Sequence, residues 1–261
     1  MKLATVTAPG RQAPTAGEVV DERFVAFADA VTILDVLTGG AKPRPSDASW
    51  PLAEVTLLAP IPTPRMIYGI GLNYAEHARE TGAQRPERPI VFAKVPGSAA
   101  SPGGPIRRPE VVRRLDYEGE LALVIGADGH IGGYCIGDDV TARDLQQREP
   151  QWTRAKGADT FCPYGPWITT PDEVLDPGRL RLRTWVNGEL RQDSSTADMI
   201  FGPQELVDFI SQTCTLQPGD LILTGTPNGV GMALDPPRFL QSGDVVRIEI
   251  ERLGAIEHFV T

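Results

Sequence analysis

Cysteine and histidine are scarce in this chain, at three residues each among 261. Cys135, Cys162 and Cys214 are odd in number and far apart. They make neither a disulfide framework nor a zinc-spaced set, and they fit a reducing cytosol, so a cytoplasmic protein is expected. Long apolar runs are missing too. None approaches the roughly 20 residues of a membrane span, and no apolar core follows Met1-Lys2-Leu3-Ala4 as a signal peptide requires. No membrane role is expected. Positive charge is in deficit, with 25 Lys and Arg against 34 Asp and Glu and a formal charge of -9. That balance argues against a nucleic-acid partner. Glycine and proline are plentiful at 27 and 24, which favours turns and short elements over long helices. With 41% hydrophobic residues there is ample material for a core.

The first 60 residues read as a small β-rich unit. Residues 2–6, 17–20 and 23–26 have strand composition, 32–37 suits a short amphipathic helix, and 43–51 reads as a Pro/Ser/Asp loop. No catalytic constellation falls there. Residues 66–70 form another strand, followed by Asn73-Tyr74-Ala75-Glu76-His77-Ala78-Arg79-Glu80. Asn73 with Glu76 three residues on has the form of a helix N-cap and its partner carboxylate. His77 and Glu80 lie i, i+3 on one face. There a carboxylate fixes the imidazole tautomer and raises its basicity, as activation of a water requires. On spacing alone an incidental surface His–Glu pair reads equally well. Gly69-Ile70-Gly71 lacks the third glycine of a dinucleotide fingerprint, since residue 74 is Tyr. Residues 90–94 form a further strand that ends in Lys94.

The most informative stretch runs from Asp116 to Asp139. Glu118 and Glu120 are two apart and lead into the apolar run 121–125, so on a strand they stand on one face. Two such carboxylates repel, and one takes up a proton unless a cation sits between them. A lone Glu-x-Glu is more often a solvated strand end; a third carboxylate at Asp139 moves the reading towards a site. Thr141-Ala142-Arg143-Asp144 has capping-box form, with a helix running towards Arg148 and stopped by Pro150. Lys156 follows, by default a solvated lysine. Beyond it, Asn187-Gly188 marks a hairpin, and 203–214 suits a helix with Pro at its first turn. Residues 220–224 form a strand running into Gly225-Thr226-Pro227-Asn228-Gly229-Val230-Gly231. That loop lacks the Gly-Lys-Ser/Thr of a P-loop. Strands at 245–251 and 255–260 close the chain. The pattern is β-dominated α+β, not alternating βα.

Taken together, several blocks resemble the fumarylacetoacetate hydrolase family, especially its acylpyruvate hydrolase and oxaloacetate decarboxylase group. They are Gly71-Leu72-Asn73-Tyr74-Ala75-Glu76-His77, Asp116-Tyr117-Glu118-Gly119-Glu120-Leu121, the run 139–146, Trp152 to Lys156, Val186-Asn187-Gly188-Glu189 and Leu223-Thr224-Gly225-Thr226-Pro227. The resemblance implies a mixed β-sandwich roll, with residues 1–60 as a small N-terminal domain and 61–261 as a metal-dependent catalytic domain, in a homodimer. It implies that Glu118, Glu120 and Asp139 ligate the metal. It also implies that His77 and Glu80 form a catalytic dyad on a mobile lid, with Lys156 beside them. Lys94, Arg143, Gln146 and Thr226 match substrate-contacting or pocket-lining positions. Two departures bear on the substrate: Leu72 stands where some relatives have Arg, and Tyr117 where others have His.

The chemistry implied follows from those roles. Three carboxylates suit a hard cation, Mg2+ or Mn2+ rather than Zn2+. The partner is a 2-oxo acid, and the metal stabilises its enolate. With His77 activating a water, a β-diketo acid of the acylpyruvate or fumarylpyruvate kind is hydrolysed at a C–C bond. Without the water, the same site decarboxylates oxaloacetate or isomerises a 2-hydroxyhepta-2,4-diene-1,7-dioate. A non-catalytic metal-binding homologue is the rival from a different class.

Overall fold

The computed structural model describes all 261 residues. Its N-terminal segment contains β1 (Lys2–Thr7), β2 (Thr15–Val20), β3 (Arg23–Phe27), α1 (Ile33–Leu37), β4 (Pro45–Pro51) and β5 (Thr56–Leu58). Then come β6 (Ile67–Gly71), α2 (Ala75–Glu80), β7 (Ile90–Lys94), β8 (Ala99–Ala100), β9 (Pro105–Ile106) and β10 (Leu115–Asp116). The centre supplies β11 (Gly119–Ile125), β12 (Ile131–Asp138), β13 (Thr141–Ala142), α3 (Arg143–Arg148), α4 (Thr153–Lys156), β14 (Cys162–Thr169) and α5 (Pro171–Val174). β15 (Arg181–Val186), β16 (Glu189–Ser195), α6 (Pro203–Ser211), β17 (Leu221–Leu223), β18 (Val245–Ile250) and β19 (Gly254–Val260) complete the chain.

A 12-stranded sheet runs in the order β4-β3-β2-β1-β14-β12-β11-β17-β6-β7, with β5 added on β1 and β8 on β14. It is mixed, since β17–β6 and β14–β8 are parallel. β1 pairs with both β2 and β14, so the first 60 residues share one sheet with the remainder. Residues 45–51, expected as loop, form the outer strand β4 instead. Its prolines fall at the two ends of an edge strand, where a missing N–H is tolerated, and Trp50 stacks on Phe24 across the pair. A second sheet has the order β16-β15-β18-β19-β9. Its Asn187-Gly188 turn has positive φ at both residues, the signature of a tight hairpin.

β11 joins the layers. Leu121, Leu123 and Ile125 enter a core cluster shared with β15, β18, β19 and α6. Ala122 and Val124 enter another, shared with β1, α1 and β17. All seven residues of the strand are buried, as expected for a strand covered on both faces. The fold is the expected β-dominated α+β arrangement of packed mixed sheets. No helix is long and apolar enough to cross a membrane.

Candidate active site

The β11–β12 hairpin gathers the acidic residues. Glu120 pairs with Gly137, and the Asp139 amide donates to the Glu118 carbonyl at 3.0 Å. Glu118 and Glu120 therefore stand on one face, and Asp139 joins them from the neighbouring strand's end. One carboxylate oxygen from each lies within 4.8 Å of the others, and all three residues are buried. Drawn together, the three would hold a small divalent cation, and their all-oxygen donors suit a hard one.

Cations of the chain already touch two of these carboxylates. Lys156 Nζ donates to Glu118 Oε2 and to Asp139 Oδ2, each at 2.6 Å. Lys94 Nζ donates to Asp139 Oδ1 at 2.5 Å. Arg143 lies 2.6 Å from Glu118 Oε1, and its Nε donates to Asp116 Oδ2 at 2.8 Å. Burial alone would raise Glu118, but Arg143, Lys156 and His77 outweigh it and hold this carboxyl below its ordinary value. Glu120 touches no cation; its hydrogen bond comes from the Gly225 amide at 2.6 Å. Burial, then Asp139 and Glu118, push it well above the ordinary range. The least neutralised carboxylate is thus the one a bound metal would serve most.

α2 brings the dyad to the same place. His77 Nδ1 lies 2.8 Å from Glu80 Oε1, and Glu80 Oε2 accepts from the Gly229 amide at 2.9 Å. A carboxylate only accepts, so Nδ1 carries the proton and Nε2 is the free basic nitrogen. His77, Glu118, Glu120, Arg143, Gln146, Lys156 and Thr226 line one cavity of about 150 Å³, with Ile70, Leu72, Trp152 and Met232 as its apolar wall. A larger cleft of about 840 Å³ lies in the N-terminal segment, but its only charged side chains are Arg11 and Asp29. The chemistry-bearing groups converge on the smaller one.

Gln146 accepts from Arg143 Nη1 at 3.0 Å. Thr226 Oγ1 donates to the Gly119 carbonyl at 3.0 Å and accepts from Gln192 Nε2 at 2.8 Å. Lys94 stands behind Asp139, outside the cavity wall. Two expected helix caps do not form. The N-cap of α2 is Tyr74. Asn73 is instead buried, its Nδ2 donating to the Phe201 and Thr224 carbonyls and its Oδ1 accepting from the Phe201 amide. Thr141 Oγ1 donates to the Asp139 carbonyl and Asp144 Oδ2 accepts from the Arg113 amide, so α3 starts without a side-chain cap. In both cases buried backbone groups take the side chains, because leaving such groups unpaired is more costly than a helix end that water can serve.

Three further residues support the site. Asp116 accepts from the Gly231 and Met232 amides as well as from Arg143. Asp138 accepts from the Glu118 amide at 2.8 Å and meets His258 Nε2 at 2.8 Å. The two aspartates sit beside expected ligands in the sequence, which was a usable signal. His258, on β19, gave none.

Comparison with known proteins shows the family. Residues 66–261 match the family model described as fumarylacetoacetate (FAA) hydrolase C-terminal. A mitochondrial oxaloacetate tautomerase of Xenopus laevis is 45% identical over 218 residues, covering 79% of this chain and 68% of that one. Oxaloacetate tautomerase YisK of Bacillus subtilis is 46% identical over 221 residues, covering 79% and 73%. The crystal structure of 2-hydroxyhepta-2,4-diene-1,7-dioate isomerase from Mycobacterium marinum matches with a TM-score of 0.83 at 38% identity, covering 100% of this chain and 98% of that one. The chain is an enzyme of the fumarylacetoacetate hydrolase family.

Proposed function

We propose that this enzyme interconverts the keto and enol forms of a short 2-oxo acid, with oxaloacetate the first candidate and Mg2+ or Mn2+ held by Glu118, Glu120 and Asp139. One observation carries the reading: His77, with a free ring nitrogen, lines the same small cavity as Glu118 and Glu120, and Asp139 brings a third carboxylate oxygen within 4.8 Å of theirs. The names of two relatives, both oxaloacetate tautomerases, support the choice of substrate.

A divalent cation in that carboxylate set supplies a Lewis acid that lowers the energy of negative charge on a keto oxygen. Lys156 has three N–H donors and uses two on Glu118 and Asp139, which leaves one for a substrate carboxylate. His77 Nε2 takes a proton from the carbon beside the keto group. The electron pair left behind forms the C=C bond as the carbonyl oxygen takes the charge, and return of the proton to that oxygen gives the enol. Glu80 stabilises the imidazolium while it holds the proton.

C–C hydrolysis of an acylpyruvate or fumarylpyruvate is the second reading, and the preformed His77–Glu80 pair favours it, since the same base can deprotonate a water. Cavity size supports the first. At about 150 Å³ the space is below the roughly 300–1,000 Å³ of pockets for larger ligands, and it suits a four-carbon acid better than a long acylpyruvate. The test is a panel of oxaloacetate, an acylpyruvate, fumarylpyruvate and a hydroxydiene-dioate, each with Mg2+, Mn2+ or chelator. We expect keto–enol conversion of oxaloacetate without release of CO2. Pyruvate from the diketo acids would move the assignment to hydrolysis, CO2 to decarboxylation, and a shifted double bond to isomerisation. Silence on all four, with metal still bound, would mean a more specialised substrate or a site that has given up this chemistry. The assembly we infer is a homodimer, to be checked by light scattering against twice the 28.2 kDa chain mass.

A further inference from the structure

The Gly-rich loop after β17 is fastened to the ligand-bearing strand residue by residue. Asp116 accepts from the Gly231 and Met232 amides, the Gly119 carbonyl accepts from Thr226 Oγ1, and Glu120 accepts from the Gly225 amide. Between them, the Tyr117 hydroxyl donates to the Gly229 carbonyl at 2.8 Å. α2 meets the same loop through the bond from the Gly229 amide to Glu80 Oε2. One residue therefore links Tyr117 to α2: its carbonyl is held from the segment before β11, and its amide holds Glu80.

Gly229 needs such an anchor. Its φ is +101°, and a Cβ there would lie 2.0 Å from the Arg191 carbonyl oxygen, so only glycine fits. Glycine has no side chain to fix its backbone and reaches both signs of φ with ease. Close packing against the Arg191 carbonyl oxygen limits the φ and ψ that separate its amide from its carbonyl, so Tyr117, itself buried beside Glu118, constrains the amide by gripping the carbonyl.

We propose that Tyr117 is a positioning residue for the His77–Glu80 pair, acting through Gly229. The hydroxyl fixes the Gly229 carbonyl; the fixed residue presents its amide to Glu80 Oε2; Glu80, held at one oxygen by the loop, holds His77 Nδ1 with the other. Nε2 is thereby aimed into the cavity.

Tyr117→Phe removes one oxygen and keeps the ring. The kinetic half of the test rests on the proposed enolisation. In the Mn2+-loaded enzyme kcat on oxaloacetate falls roughly 10-fold, the scale of a small misplacement of a reacting group, while KM and Mn2+ affinity stay within about twofold. In a Glu80→Ala background the same change has no further effect, because the path to His77 is already cut. Equal losses in both backgrounds, or full kcat in Tyr117→Phe, overturn the proposal. Amide hydrogen exchange on the Mn2+-loaded protein reads the link without turnover. Peptides covering 75–81 and 227–232 exchange faster in Tyr117→Phe, and β11 does not change. Unaltered exchange at both peptides overturns the proposal even if oxaloacetate is turned over. A rise that spreads into β11 also overturns it, since that is the mark of general packing. Altered exchange confined to the two peptides in a protein inactive on oxaloacetate would sink the substrate reading alone.

Discussion

Glu120 is the residue on which the electrostatics of the site turn. Its neighbours Glu118 and Asp139 each have a lysine in contact, and Glu120 has none. A carboxylate whose folded pKa lies above its unfolded one makes the folded state less stable as pH rises through that interval. Glu120 is raised by burial and by Asp139 and Glu118, so the metal-free protein should lose stability as pH climbs past the ordinary glutamate range. Glu118, held low, acts in the opposite sense, and its contribution is lost only in stronger acid. Glu120→Gln should raise the Tm of the metal-free protein at neutral pH, flatten that pH dependence and abolish Mn2+ binding. Melting curves across pH, with and without Mn2+, check all three outcomes. His77→Ala should lower kcat by about 10²–10⁴-fold, the usual worth of a positioned base, with Mn2+ affinity intact by titration calorimetry. The carboxylates were legible in the sequence because a strand repeats every two residues, and Glu118, Glu120 and Asp139 need only a hairpin to meet. Asn73 and Thr141 have the sequence form of caps but not the role, because the buried carbonyls that claim them lie far off in sequence or outside the local helix pattern.

At the scale of the element, β11 carries both the site and the core. Its first residues hold Glu120, and its remainder feeds two apolar clusters on opposite faces. Leu123→Ala, which empties a fully buried position, should lower stability by about 2–5 kcal/mol, the range for large-to-small core changes. A shift of the urea midpoint at constant m-value would show this; an unchanged midpoint would mean that the strand is not packed as described. The uninterrupted apolar run made this strand easy to read, as Asn187-Gly188 did the hairpin. β4 was hidden because its Pro and Ser content is that of a loop, and only its place at a sheet edge makes the prolines acceptable.

Across the whole molecule the least legible feature was the continuity of the main sheet. β1 pairs with β14 more than 150 residues away, Lys2 opposite Thr169, and no local pattern announces such a partner. The family match starts at residue 66, yet Leu3, Phe27, Ile33 and Leu37 pack in one cluster with Ala122, Val124 and Cys135. A chain cut to residues 61–261 should therefore expose that cluster and the edge of β14, and lose cooperative unfolding or aggregate. A soluble truncated form with the stability of the full chain would show that the N-terminal segment is dispensable to the fold.

Metal-dependent enolisation is the reaction on which every proposed role in the site depends. The measurement is the rate of oxaloacetate keto–enol conversion by metal-stripped enzyme, before and after addition of Mg2+ or Mn2+, with Glu120→Ala alongside. The prediction is background rate without metal, restored conversion with it, and no restoration in Glu120→Ala. Full conversion by the metal-stripped wild type, or equal rescue of the variant, would contradict it.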